Sequence, residues 1–155
     1  MRGVIPMHFK ENTSFLMLKI NTPPNIDFLA EHKDIIKRTG DVWFCRFGKA
    51  NIITSKITQH GNIIFLKDSK QNNDRVYMGT ISKISLDFPS GNYPLYYNKL
   101  NLKPSLWFCF TDIKEVNPNL ILNNFRTTSS NASLTSIYRS MCNSFYIKCI
   151  CNVDL

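Results

Sequence analysis

Charge is scarce in this sequence of 155 residues, at 19 % Asp, Glu, Lys and Arg, and its six glycines are scattered singly. Low charge beside 43 % hydrophobic and 12 % aromatic residues excludes a disordered chain. Isolated glycines exclude a loop that cradles phosphates with its backbone. No window approaches the roughly 18 uninterrupted apolar residues of a membrane span, and Met1-Arg-Gly-Val-Ile-Pro6 is too short for a secretory leader. The expected compartment is the cytoplasm.

Metal and nucleophile motifs are missing as well. Five cysteines (Cys45, Cys109, Cys142, Cys149, Cys151) contain no Cys-x-x-Cys, and no histidine pair has ligand spacing, so neither a metal nor another cofactor is expected. Their odd number and lack of a spaced framework suit reduced thiols, with Cys45 and Cys109 as small buried hydrophobes. There is no Gly-x-Ser-x-Gly, and His8, His32 and His60 fall in polar segments away from any strand-end nucleophile. A nuclease-like Glu31-x-Lys33 follows Asp27, but the three share a helical segment, where a solvated face accounts for them.

What the chain has is positive charge and aromatic blocks. Nineteen Lys plus Arg oppose eleven Asp plus Glu, a net charge of +8, which favours a polyanionic partner or simply keeps the surface soluble. The length fits one domain, residues 1–155.

The pattern predicts a strand over Ser14–Ile20 stopped by Asn21-Thr-Pro-Pro24. A helix follows over 25–39, capped by Asn25 or Asp27 and ended by Gly40. Strands are expected at 41–47, 52–58 and 63–66, the last two joined by a hairpin at Gly61-Asn62. A polar loop over 67–74 precedes a long strand over 75–88 that is bulged at Gly79. Further strands are expected at 106–110, extended or followed by 112–116, and at 145–151. Residues 119–125 read as a short strand or turn, and 134–141 as a short helix. So few helices among so many strands predict an α+β fold: a mainly antiparallel curved sheet or small barrel with two or three flanking helices.

Each tryptophan sits in an extended aromatic block, Val42-Trp-Phe-Cys-Arg-Phe47 and Leu106-Trp-Phe-Cys-Phe110. Alternation puts Trp43, Cys45 and Phe47 on one face and Phe44 and Arg46 on the other, with Trp107 and Cys109 likewise opposite Phe108. One face must be core. The other is free to stack a base, worth about 1–3 kcal/mol, unless both tryptophans fill the interior.

These blocks and their order resemble the PUA-like superfamily, in particular its EVE, YTH and ASCH branches. The likeness rests on the opening strand and helix into Gly40-Asp-Val-Trp-Phe-Cys, on Arg75-Val-Tyr-Met-Gly-Thr-Ile-Ser-Lys-Ile, and on Leu106-Trp-Phe-Cys-Phe-Thr-Asp-Ile-Lys-Glu-Val116. It implies a small curved barrel that flips a modified, for instance methylated, base of DNA, or of RNA, into an aromatic cage without chemistry of its own. Trp43 and Trp107 would then be cage walls, Lys19 and Asn21 would meet the base edge, and Tyr77, Tyr96 or Phe47 would supply a third wall. Arg46, Lys49, Arg75, Lys83, Arg126 and Arg139 are the cations available to flanking phosphates. The implied setting is the sensing domain of a modification-dependent restriction system, with a motor and nuclease as separate subunits or fused domains. The alternatives are an ASCH-type hydrolase or nuclease and a protein-interaction domain.

Overall fold

The computed structural model describes residues 7–47, 62–69, 75–100 and 104–155, apart from the side chains of residues 47, 104 and 105. Among the described residues, nine strands appear in chain order. They are β1 (His8–Phe9), β2 (Ser14–Ile20), β3 (Val42–Phe47), β4 (Ile63–Asp68), β5 (Val76–Ser85), β6 (Pro104–Val116), β7 (Phe125–Thr127), β8 (Ser144–Cys149) and β9 (Val153–Asp154). The helices are α1 (Phe28–Thr39), α2 (Pro118–Asn124) and α3 (Leu134–Arg139), with a 3-10 turn at Leu95–Lys99.

Seven strands form one sheet in the order β3-β6-β5-β4-β2-β8-β7, and β1 pairs with β9 in a small second sheet. The fold is α+β, as expected. Its large sheet is open rather than closed into a barrel, with β3 and β7 at its edges. Most neighbours are antiparallel, but β2 and β4 run parallel, in register from Leu16 opposite Ile64 to Ile20 opposite Asp68.

Alternation along the strands loads both faces with apolar side chains. Leu16, Leu18, Ile64, Leu66, Tyr77 and Phe44 belong to one core, into which α1 sends Phe28 and Ile35. Phe15, Met17, Phe65, Val76 and Ile147 belong to the other, closed by Phe9 of β1, Ile121 of α2 and Leu134 of α3.

Local signals set the boundaries. Asp27 caps α1 by accepting the Ala30 N–H at 3.1 Å. Gly40 ends it at φ +96°, its own N–H donating to the Ile36 carbonyl. Gly79 answers a different need: a Cβ there would lie 2.6 Å from Phe110 Cε1, so the strand passes the ring only without a side chain. The irregularity of β5 falls between Thr80 and Lys83, just beyond that glycine.

The strand expected to run to residue 88 ends at Ser85, and two further segments differ from expectation. Residues 118–124 form a helix instead of a strand or turn: Asn117 accepts the Asn119 N–H and Pro118 takes the first turn, where its missing N–H costs nothing. Lys67 and Asp68 extend β4 rather than opening a loop, and both are buried. Lys67 Nζ donates to the Asp68 carbonyl and lies 5.3 Å from the Tyr138 ring centroid, while the Thr22 hydroxyl donates to Asp68 Oδ2 at 2.7 Å. The strand expected at 52–58 and its hairpin glycine lie outside the described residues. No described helix is long and apolar enough to cross a membrane.

Candidate functional site

The end of β2 and the edge strand β3 bound a cavity of about 370 Å3. Leu18, Lys19 and Ile20 of β2 enter its lining together with Asn21, Thr22, Pro23 and Pro24, the turn that stops the strand. Phe28 comes from α1, Phe44, Cys45 and Arg46 from β3, Tyr96 and Tyr97 from the 3-10 turn, and Asn143 from the lead into β8.

Four of these side chains are aromatic and face one another edge-on. Phe28 and Phe44 have ring centroids 6.0 Å apart at 83°, and Tyr96 and Tyr97 4.9 Å apart at 88°. Further rings brace them from behind, Phe110 stacked on Phe44 at 5.6 Å, Tyr77 against Phe28 at 5.0 Å and Tyr93 stacked on Tyr97 at 6.0 Å, while Tyr96 is the half-buried ring of the four.

A buried histidine fixes one wall. His32 is wholly enclosed, its Nδ1 2.7 Å from the Phe28 carbonyl and its Nε2 on the Tyr97 hydroxyl. A carbonyl can only accept, so Nδ1 carries the proton and Nε2 takes the Tyr97 O–H. Desolvation lowers the His32 pKa to about 4 against the opposing Phe28 bond, which keeps the ring neutral near pH 7. Burial raises Tyr97 well above the ordinary phenol range, so the hydroxyl remains a donor. Tyr97 also meets the Cys45 backbone N–H, and the Trp43 N–H donates to the Asn92 carbonyl at 2.9 Å. Two outer N–H groups of the β3 edge, those of Trp43 and Cys45, are thereby covered.

The charged side chains of the lining are cationic. Arg46 is 6 % exposed and reaches across to Ser144 Oγ at 3.4 Å. Desolvation lowers its pKa while the nearby Cys142 opposes the shift, but a guanidinium stays charged. Lys19 anchors its ammonium to the Ile137 and Ser140 carbonyls at the end of α3, at 2.6 and 2.7 Å. Burial pushes the Cys45 thiol up to about 12, making it a neutral wall. Among the described residues, no Asp or Glu lines the cavity.

The residues singled out from sequence separate into three groups. Lys19, Asn21, Arg46 and Tyr96 meet at this cavity. Trp43, Trp107 and Tyr77 do not line it. Trp107 lies opposite Cys45 in the β3–β6 register and is 2 % exposed beneath Phe88 and Tyr93, with ring centroids at 4.9 and 5.6 Å. Trp43 is half-buried against the same core, and Tyr77 packs on Phe28 at 5.0 Å. Of the remaining cations, Arg75 is exposed and sits 3.7 Å from Glu115, and Arg126 donates to the Leu122 and Phe125 carbonyls. Lys83 and Arg139 are exposed. Lys49 and the Phe47 side chain lie outside the described residues.

Sequence reading did not select Phe28, Phe44, Tyr97 or Asn143. Phe44 was legible as the face opposite Trp43, shared with Arg46; no signal in the sequence brings residues 28, 97 and 143 to it. Among the described residues, no three His, Cys, Asp or Glu side chains cluster to hold a metal ion. No family model matches the chain, and neither a curated protein nor a solved structure matches it.

Proposed function

We propose that this chain is a nucleic-acid-binding module that takes one extruded base, DNA in preference to RNA, into the cavity between β2 and β3 and acts by binding alone. One observation carries the reading: an aromatic-walled recess of about 370 Å3 whose charged side chains are Arg46 and Lys19, on a chain of net charge +8. That volume is at the small end of the roughly 300–1,000 Å3 typical of ligand pockets, a size for one planar ring system rather than an extended chain.

Tyr96, half-buried, offers a surface for stacking, and Phe28 and Phe44 apolar contacts for a methyl group on the base. The net charge of +8 supplies the attraction for the backbone, a contact that positions without selecting. In this reading the chain is a PUA-like base reader whose cage is made by Phe28, Phe44, Tyr96 and Tyr97 in place of the expected Trp43 and Trp107. In that role the chain senses a modification, and a separate motor and nuclease carry out any cutting.

Titration of labelled oligonucleotides, with and without a methylated base, at several salt concentrations tests the reading. Affinity is expected to fall steeply with added salt and to drop about tenfold in Tyr96→Ala, the size of one lost base stack. Binding indifferent to salt, or unchanged in Tyr96→Ala, would refute it.

A further inference from the structure

Beyond the cavity, β8 and β7 carry cations that the base-binding recess does not use, and their placement shows where the rest of a bound strand runs. We infer that the half-exposed side of β8, with Arg126 of β7 beside it, is a track for the phosphate backbone of a single strand whose extruded base sits in the cavity; the inference rests on the base-reading function proposed above.

Helix α1 lies over β3 and β6, at one end of its face of the large sheet. Towards the other end the same face belongs to β2, β8 and β7. Along β8, Phe145, Ile147 and Cys149 are buried in the core on the far side, whereas Ser144, Tyr146 and Lys148 are half-buried. Alternation keeps these three on the α1 side, where Tyr146 stands opposite Leu16. The Tyr146 hydroxyl is itself buried, so what this residue exposes is ring. Asn143 lines the cavity and β8 begins one residue later, so the row leads away from the recess, over about 13 Å to Lys148.

The far end of the row is a pair of cations. Lys148 lies directly opposite Arg126 across β7 and β8. Like charges in directly opposed positions destabilise a sheet. No Asp or Glu stands on β2, β7 or β8 to offset them. Arg126 gives its Nη1 to the Leu122 and Phe125 carbonyls, and Lys148 has no hydrogen bond or ion pair among the described residues. A phosphodiester lying between the two side chains supplies the missing negative charge, and such a contact fixes the path of a strand without reading its sequence.

The test is fluorescence anisotropy of the intact protein with a labelled single-stranded oligonucleotide, with and without one methylated base, over a range of salt concentrations. Lys148→Gln removes a phosphate contact and no contact of the fold. It is expected to weaken binding about threefold or more, by the same factor for both oligonucleotides, and to make the slope of log affinity against log salt shallower by about 0.7. Its thermal melt is expected to hold or rise slightly, because the repulsion from Arg126 is gone. A melt that falls together with the affinity makes Lys148 a structural residue and overturns the track. Affinity and salt slope unchanged in Lys148→Gln, while Tyr96→Ala still weakens binding, overturn the track and leave base reading intact. Wild-type binding that ignores salt, or no binding at all, removes base reading and the track with it.

Discussion

The two faces of the large sheet are built differently, and the difference locates the site. The face closed by β1, α2 and α3 is packed with Phe9, Phe15, Phe65 and Phe125, whose ring centroids lie 5.1 to 6.5 Å apart. The face beneath α1 buries an apolar cluster of its own but also encloses His32 and Arg46 and keeps a cavity open beside them. Buried polar groups cost free energy unless they are hydrogen-bonded. The other face also buries a charge, Lys67 against Tyr138, so it is the cavity beside His32 and Arg46 that marks where the fold gives up packing for recognition.

The largest effect should come from breaking the apolar face. Phe65→Ala empties a ring position that is wholly buried, and chemical denaturation is expected to show a loss of about 3–5 kcal/mol. A loss below about 1 kcal/mol would mean that this face is loosely packed.

On the other face, the enclosed histidine should make stability depend on pH. The His32 pKa is about 4 in the fold and near 6.5 when unfolded, so between these values the unfolded chain binds the extra proton. Its contribution is complete above pH 6.5 and is lost as the pH falls towards 4, on the order of 3 kcal/mol in all. Denaturation of the wild type and His32→Phe across this range should give a shallower slope for the variant; equal slopes would place the imidazole in water.

Gly79→Ala probes how firmly the α1 face is packed. Its Cβ would meet the Phe110 ring at 2.6 Å, and displacing a buried ring is expected to cost about 1–3 kcal/mol. A neutral outcome would show that the ring has room to move. Asp27→Ala, which removes the cap of α1, should have the smallest effect, about 1 kcal/mol by thermal melting, with no change in the apolar face.

Much of this architecture was legible where short-range physics decides it. Pro23-Pro24 cannot continue a strand, and Gly40 supplies the left-handed residue that ends α1, so β2 and the end of α1 stand where the sequence puts them. Asn117-Pro118 is an equally local helix signal, and it opens α2 where a strand or turn was expected. The parallel β2–β4 pair had no local signal, because its partners are joined through more than forty residues.

The cavity divides in the same way. Lys19 and Asn21 were implied by the family resemblance and Arg46 stood among the cations offered to phosphates, and the three meet there. The tryptophans drew attention by size. On β3 and β6, which carry apolar side chains on both sides, the largest ring became packing for Phe88, Tyr93 and Tyr97 instead of a wall. The aromatic walls come from α1, β3 and the 3-10 turn, which meet only in the folded chain.

The most direct measurement is chemical-shift mapping of the labelled protein as a short single-stranded oligonucleotide is added. The account expects the largest changes at Asn21, Arg46, Tyr96 and Asn143. Changes confined to the exposed Leu86 and Phe88 or to the β7 edge, with those four undisturbed, would contradict it.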